Sequence, residues 1–196
     1  MRPILFFAFI AIAAAQPAEL RVDRVAIVIG KHVLTESEVA ENLRITELIN
    51  GEPLDISPAK RKEEADRLID QELLRNEMRL TNFAMPSAAE AETVLRQFIG
   101  KRYPSQAGYQ TALKTYDVTE DELKQQLAWQ LALLRFTEQR FRPLETASAA
   151  QDNGSSQSAD RASNKADSNA IDQQMDAFLK DARANTTIVL KPGAFQ

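Results

Sequence analysis

Few residues in this chain have the chemistry of a catalytic or metal site. The sequence contains no cysteine and one histidine, His32, so a Ser-His-Asp arrangement could use only that residue. His32 lies beside a turn signal, and we interpret it as a solvated side chain at a strand end. Zinc sites need cysteine or clustered histidine, and calcium loops need spaced acidic residues around a glycine. We therefore predict a protein that is not an enzyme, with no catalytic residue, no metal and no cofactor.

Two acidic clusters could be considered as paired carboxylates for acid-base chemistry. They are Glu63-Glu64 and Glu120-Asp121-Glu122. Both clusters are expected in the first turns of helices, where negative charge stabilises the helix dipole. We therefore favour a structural interpretation of both clusters.

Methionine and aromatic side chains are the remaining candidates for a binding surface. Methionine is flexible and polarisable, which suits surfaces that accept many ligands. The candidate residues for contact with an apolar polypeptide are Met78, Met85, Tyr103, Tyr109 and Trp129. Each of them is also compatible with core packing, which is the favoured interpretation for each.

The first residues have the pattern of an export signal. Arg2 precedes an apolar run that ends at Ala15, with small residues at positions 13 and 15. This pattern predicts a signal peptide over residues 1–15, cleavage after Ala15 and a periplasmic protein. The run is shorter than the roughly 20 apolar residues that cross a bilayer, so no stable membrane insertion is expected. Net charge is −4 with both signs interleaved, which makes nucleic acid an unexpected partner.

The next residues predict a hairpin followed by helices. Val25–Ile29 and His32–Leu34 are short β-type runs separated by Gly30-Lys31. Capping boxes begin at Thr35, Ser87 and Thr119, and the Ser57-Pro58 pair starts a further helix. The buried stripes expected on the two longest helices are Ala65, Leu68, Ile69 and Leu73 on one, and Leu123, Leu127, Leu131 and Leu134 on the other.

The last third of the chain changes in composition. Residues 145–169 are small and polar, which predicts a disordered linker. Beyond it, Ile171, Met175, Phe178 and Leu179 predict a helix, and Thr186–Leu190 predicts a strand. A lone strand is not stable, so we expect it to pair with the N-terminal hairpin.

These patterns predict a mainly α fold with a small antiparallel β sheet, in which a C-terminal strand completes an N-terminal hairpin. The predicted main part of the domain covers residues 16–144. Residues 170–196 are expected to complete the same domain after the linker.

Three segments together resemble the chaperone domain of SurA-type periplasmic folding factors. They are VDRVAIVIGKHVLTESEV (Val22–Val39), EADRLIDQELLRNEMRL (Glu64–Leu80) and IDQQMDAFLKDARANTTIVL (Ile171–Leu190). In that family the late helix and strand return to the N-terminal elements. Full-length relatives also carry parvulin-type prolyl isomerase domains between these parts, whereas this chain has only the polar stretch there.

The resemblance implies an ATP-independent chaperone that binds unfolded outer-membrane or exported polypeptides, without prolyl isomerase activity. An alternative of a different class is a non-catalytic envelope adaptor or assembly subunit that binds one folded partner. Exchange of the terminal helix and strand between two chains would also give a homodimer.

Overall fold

The computed structural model describes residues 23–141 and 157–195, with side chains described from residue 169 in the second range. The predicted signal peptide lies outside the described residues. The fold is mainly helical with a small antiparallel sheet, as the sequence predicts. Its elements in chain order are β1 (Val25–Ile29), β2 (His32–Thr35), α1 (Glu36–Asn50), α2 (Pro58–Leu80), α3 (Ala88–Arg102), α4 (Gln106–Tyr116), α5 (Glu120–Phe141), α6 (Gln157–Asn185) and β3 (Ile188–Leu190).

The sheet joins the two ends of the described chain. Its strand order is β2-β1-β3, and both neighbours of β1 run antiparallel to it. Val28 lies opposite Val33 on one side and Val189 on the other. The predicted pairing of the C-terminal strand with the N-terminal hairpin is therefore confirmed.

Side-chain caps fix where the helices start. The capping boxes at Thr35 and Ser87 are both complete. Thr119 donates its backbone N–H to Glu122 and accepts from the Glu122 backbone N–H, which gives the third box. Ser57 caps α2 and Pro58 occupies its first turn. These starts agree with the sequence because each cap satisfies backbone donors that would otherwise have no partner.

Helix α2 is the central element, and three apolar clusters form around it and its neighbours. The first cluster lies between the sheet and α2 and contains the predicted stripe of α2. The second joins α1, α3, α4 and the start of α5. The third joins the C-terminal half of α2 to the C-terminal half of α5, with side chains of α6 packed against it.

The predicted stripe of α5 is wrong in its second half. Leu123 and Leu127 are buried, but Leu134 is 56 % exposed, and Trp129, Ala132 and Phe136 are buried instead. The first half of α5 contributes to the second cluster and its second half to the third. The buried face therefore turns around the helix, which a single straight stripe cannot represent.

Helix α6 also begins earlier than the sequence indicates. It starts at Gln157, inside the predicted linker, whereas residues 145–156 lie outside the described residues. Residues 157–169 contain no glycine or proline. Extending an existing helix is easy compared with nucleating one, so the docked stripe from Ile171 onward can support this extension.

Near its end, helix α6 is held on α2 by the side chain of Arg183. The Arg183 guanidinium donates to Asp70 Oδ1 at 2.6 Å and to the carbonyl oxygen of Asp66 at 2.9 Å. Strand β3 follows directly, so this contact positions it beside β1. Within the described parts of the chain, no helix combines the length and apolarity needed to cross a membrane.

Candidate functional site

The five candidate binding residues occupy different environments. Met85 is 55 % exposed in the segment between α2 and α3. Met78 and Trp129 are buried in the third cluster but also line surface cavities. Tyr109 is fully buried in the second cluster, and half-buried Tyr103 packs against its ring with centroids 5.4 Å apart.

Tyr109 is therefore a core residue rather than a surface contact. Burial raises the pKa of its phenol, as expected when a charged form would lose water. Its position in α4 explains the outcome, because Tyr109 and Leu113 lie one turn apart on the face that packs on α1 and α5. Tyr103 supports the same cluster from the end of α3.

Three adjoining cavities follow the segment of residues 81–86 between α2 and α3. The first, of about 390 Å³, lies between α1, α2 and α5, and the second, of about 480 Å³, lies beside the end of α2. Arg75 and Met85 line both of these cavities. The third, of about 370 Å³, shares Asn82 and Phe83 with the second. We call these three cavities together the 81–86 groove.

A row of aromatic rings begins at the groove and continues to α6. Phe83 meets Phe136 edge to face at 5.3 Å, Phe136 meets Phe141 at 6.2 Å, and Phe141 meets Phe178 of α6 at 5.6 Å. Such geometries add stability beyond the burial of apolar area. Of these rings, Phe83 lines the second and third cavities and Phe136 lines the third.

A buried carboxylate organises the charges along α2. Glu72 is 3 % exposed and forms ion pairs at 3.2 Å with Arg75 and with Arg79. His32 Nε2 lies 3.9 Å from the same carboxylate, so the histidine approaches α2 rather than standing alone at the strand end. Glu72 is not among the residues predicted from the sequence. Its pairing could have been expected, because Arg75 lies three positions later and residues at this spacing share a helix face.

Arg75 connects this network to the groove. Its guanidinium lies over the Trp129 ring, 4.5 Å from the ring centroid, while its side chain is 45 % exposed. A cation over an indole face is an attractive contact. Arg75 therefore covers Trp129 at the boundary between the first and second cavities.

The two acidic clusters considered for acid-base chemistry lie in different positions. Glu63 and Glu64 do not lie in the first turn of α2, which contains no acidic residue, so this part of the sequence interpretation is wrong. Glu64 is buried and paired with Arg67. Glu120, Asp121 and Glu122 do lie in the first turn of α5, as predicted. Among residues 23–141 and 157–195, no cluster of His, Asp and Glu suits a metal ion.

Comparison of the sequence with known proteins finds no matching family model and no significantly similar curated protein. The groove therefore has to be interpreted from its own geometry and charges.

Proposed function

We propose that this protein is an ATP-independent chaperone-like protein that binds unfolded outer-membrane or exported polypeptides in the periplasm, without prolyl isomerase activity. The observation that carries the proposal is the 81–86 groove, an open cleft lined by Phe83, Trp129 and Phe136 and by the exposed, flexible Met85. Burial of apolar surface is non-directional, at roughly 25 cal/mol per Å². Such a groove suits varied extended segments, bound weakly and reversibly.

The resemblance to SurA-type chaperone domains supports the same proposal. The segments that carry it form the hairpin, helix α2 and the end of α6 with β3, which lie together in the structure. Arg75, Met78 and Arg79 of α2 line the groove together with residues of α1 and α5, so the segment that carries the resemblance contributes to the proposed binding surface. The isomerase domains of the full-length relatives have no counterpart among the described residues.

The proposal is tested with a urea-unfolded outer-membrane β-barrel protein diluted into buffer while light scattering is recorded. The chain is produced with its export segment and purified from the periplasm, which also tests export. We expect scattering to fall in proportion to the amount of chain added, with no ATP present. Unchanged scattering at several-fold excess of folded, helical chain would contradict the proposal.

An envelope adaptor is a second candidate because the sheet has an exposed apolar face. Val33 and Val189 are 42 % and 41 % exposed, and both lie beside Val28 on the face opposite the buried Ile27 and Ile29. A flat patch of this kind suits one folded partner. If the adaptor function is correct, Val33→Lys with Val189→Lys abolishes capture of one envelope protein, whereas the chaperone function predicts unchanged suppression of aggregation.

A further inference from the structure

The first cavity of the 81–86 groove contains two buried hydrogen-bond donors that the fold does not use. Gln126 and Trp129 of α5 are 8 % and 5 % exposed, and both line this cavity. Neither Gln126 Nε2 nor Trp129 Nε1 has an acceptor among the described residues. The two residues are three positions apart on one helix, so they share a face. Unpaired buried donors are costly. Both nitrogens are closed to solvent, so a ligand that supplies acceptors would satisfy them once the covering side chains move.

The charges of the cavity indicate which acceptor fits. Three charged residues line it, two acidic and one basic, namely Glu41, Glu122 and Arg75. Burial raises the pKa of the Glu41 carboxyl, and the negative charge of Glu122 acts in the same direction. An anionic ligand would add to this repulsion, whereas a cationic side chain would relieve it. The acceptor is therefore a neutral carbonyl, and the favoured neighbour is a positive charge.

Arg75 is placed to adjust the cavity to a bound chain. Its guanidinium covers the Trp129 ring, and its half-exposed side chain lines both the first and the second cavity. A lateral shift of this head group would uncover Trp129. Met85 lines both cavities, so an extended segment running through them would stay in contact with its thioether.

We infer that the cavity between α1, α2 and α5 binds the main chain of an extended polypeptide, with backbone carbonyl oxygens accepting from Gln126 and Trp129 and a basic side chain lying beside Glu41 and Glu122. This inference rests on the proposed function and adds a preference to it. Main-chain recognition explains how one site accepts many sequences. The acidic pair favours segments with lysine or arginine over segments with glutamate.

Trp129 provides a direct test because it is the only tryptophan in the sequence. Two acetylated, amidated peptides are titrated into the purified chain, one alternating phenylalanine with lysine and the other phenylalanine with glutamate. We expect the intensity and position of Trp129 emission to change with the lysine peptide. Its affinity should exceed that of the glutamate peptide by about tenfold at low salt. Calorimetric binding without any change in emission would place the peptide elsewhere and overturn the inference.

Two variants test the two parts of the site separately. Gln126→Leu removes the donor and puts an apolar side chain of similar size in its place. Both peptides should therefore bind about three- to tenfold more weakly. The unfolding midpoint of this variant should stay the same or rise, because a buried unpaired donor has been removed. Glu41→Gln should reduce only the preference for the lysine peptide.

Ile56→Ala is the matched control, since Ile56 is 54 % exposed and lies outside the groove. It should bind both peptides as the unaltered chain does. If Gln126→Leu and Glu41→Gln also bind unchanged, the inference is wrong even though the chain still suppresses aggregation. Failure of the unaltered chain to suppress aggregation would instead contradict the proposed function.

Discussion

The two halves of helix α2 lie in cores of different character. The part of α2 up to Leu73 contributes Ala65, Leu68, Ile69 and Leu73 to the cluster beneath the sheet. The same part of the helix also contains a buried carboxylate, Glu64. Its C-terminal half contributes Leu74 and Met78 to the cluster beneath the 81–86 groove. Around that second half are a buried carboxylate, two unused donors and an exposed methionine.

The difference between the two clusters distinguishes the part of α2 that packs under the sheet from the part that lies beside the groove. At the sheet end, Glu64 is paired with Arg67 and Asp70 with Arg183. At the groove end, the buried donors of Gln126 and Trp129 have no partner and Met85 is exposed, which departs from ordinary core packing. Local departures of this kind are expected where a protein keeps a surface for binding. The following predictions test this division, from the largest expected effect to the smallest.

The largest effect should come from a large-to-small change under the sheet. Ile27 is fully buried on the central strand, so Ile27→Ala should lower the free energy of unfolding by about 2–5 kcal/mol. The control is Val33→Ala on the exposed face of the same hairpin, which should cost less than about 1 kcal/mol. Urea denaturation followed by circular dichroism measures both. Equal losses would remove the distinction between the two faces of the sheet.

The next largest effect should come from removing the contact between Arg183 of α6 and Asp70 of α2. Arg183→Ala removes two charge-assisted hydrogen bonds and should lower the free energy of unfolding by about 1–3 kcal/mol. It should also speed amide exchange in β1, because β3 would detach more often. Arg24→Ala is the control, since Arg24 is highly exposed and lies 3.8 Å from Glu36. If β1 exchanges at the same rate in both variants, Arg183 does not hold β3 in place.

A change at the groove should separate stability from binding. Met85→Ala should alter the free energy of unfolding by no more than about 0.5 kcal/mol, because Met85 is exposed. Suppression of aggregation should nevertheless need about two- to fivefold more chain, since roughly 1 kcal/mol of apolar contact is lost. The two measurements are urea denaturation and light scattering. A large loss of stability with unchanged suppression would reverse the roles assigned to the two ends.

The smallest effect should be on the pH dependence of stability, which is expected to differ between Glu41 in the groove and Glu90 in a helix cap. Hydrogen bonds from Ser87 and the guanidinium of Arg135 lower the pKa of Glu90 from 4.5 to about 2, whereas burial raises the pKa of Glu41. The contribution of Glu90 to stability is therefore present above pH 4.5 and lost as the pH falls toward 2. The contribution of Glu41 has the opposite sign, being present below pH 4.5 and lost as the pH rises through its raised pKa.

Carboxyl titrations by NMR check both directions. Glu90→Gln should flatten the pH dependence of stability between pH 2 and 4.5, and Glu41→Gln should flatten it above 4.5. A Glu90 carboxyl that titrates at its ordinary pKa would show that its capping bonds do not persist in solution.

The sequence predicts the helix starts and the small sheet well and the groove poorly, for physical reasons. Caps and hairpin turns depend on neighbouring residues, so Thr35, Ser57 and Ser87 mark helix starts without any knowledge of the fold. The groove depends on which helices meet. Whether Trp129 or Leu134 is buried is decided by the change of packing partners along α5. No local pattern contains that information.

The candidate binding residues show the same limit of local patterns. Met85 follows the C-terminal end of α2, where exposure could be expected from the break in helical periodicity. Tyr109 and Trp129 have similar sequence surroundings, yet one is enclosed by three helices and the other lines a cavity. The sequence does not indicate Gln126 as a binding residue, because a glutamine in a helix is ordinarily solvated. Only its burial without an acceptor makes it notable.

The central position of β1 also limits the order in which the sheet can form during synthesis. Among the described elements, β1 is synthesised before the helices and its second neighbour, β3, after them. Until then one edge of the hairpin stays open, and the helices have to assemble around an unfinished sheet. Contacts between distant parts of a chain slow folding. The contacts between β1 and β3 are therefore expected to form later than the local contacts between β1 and β2.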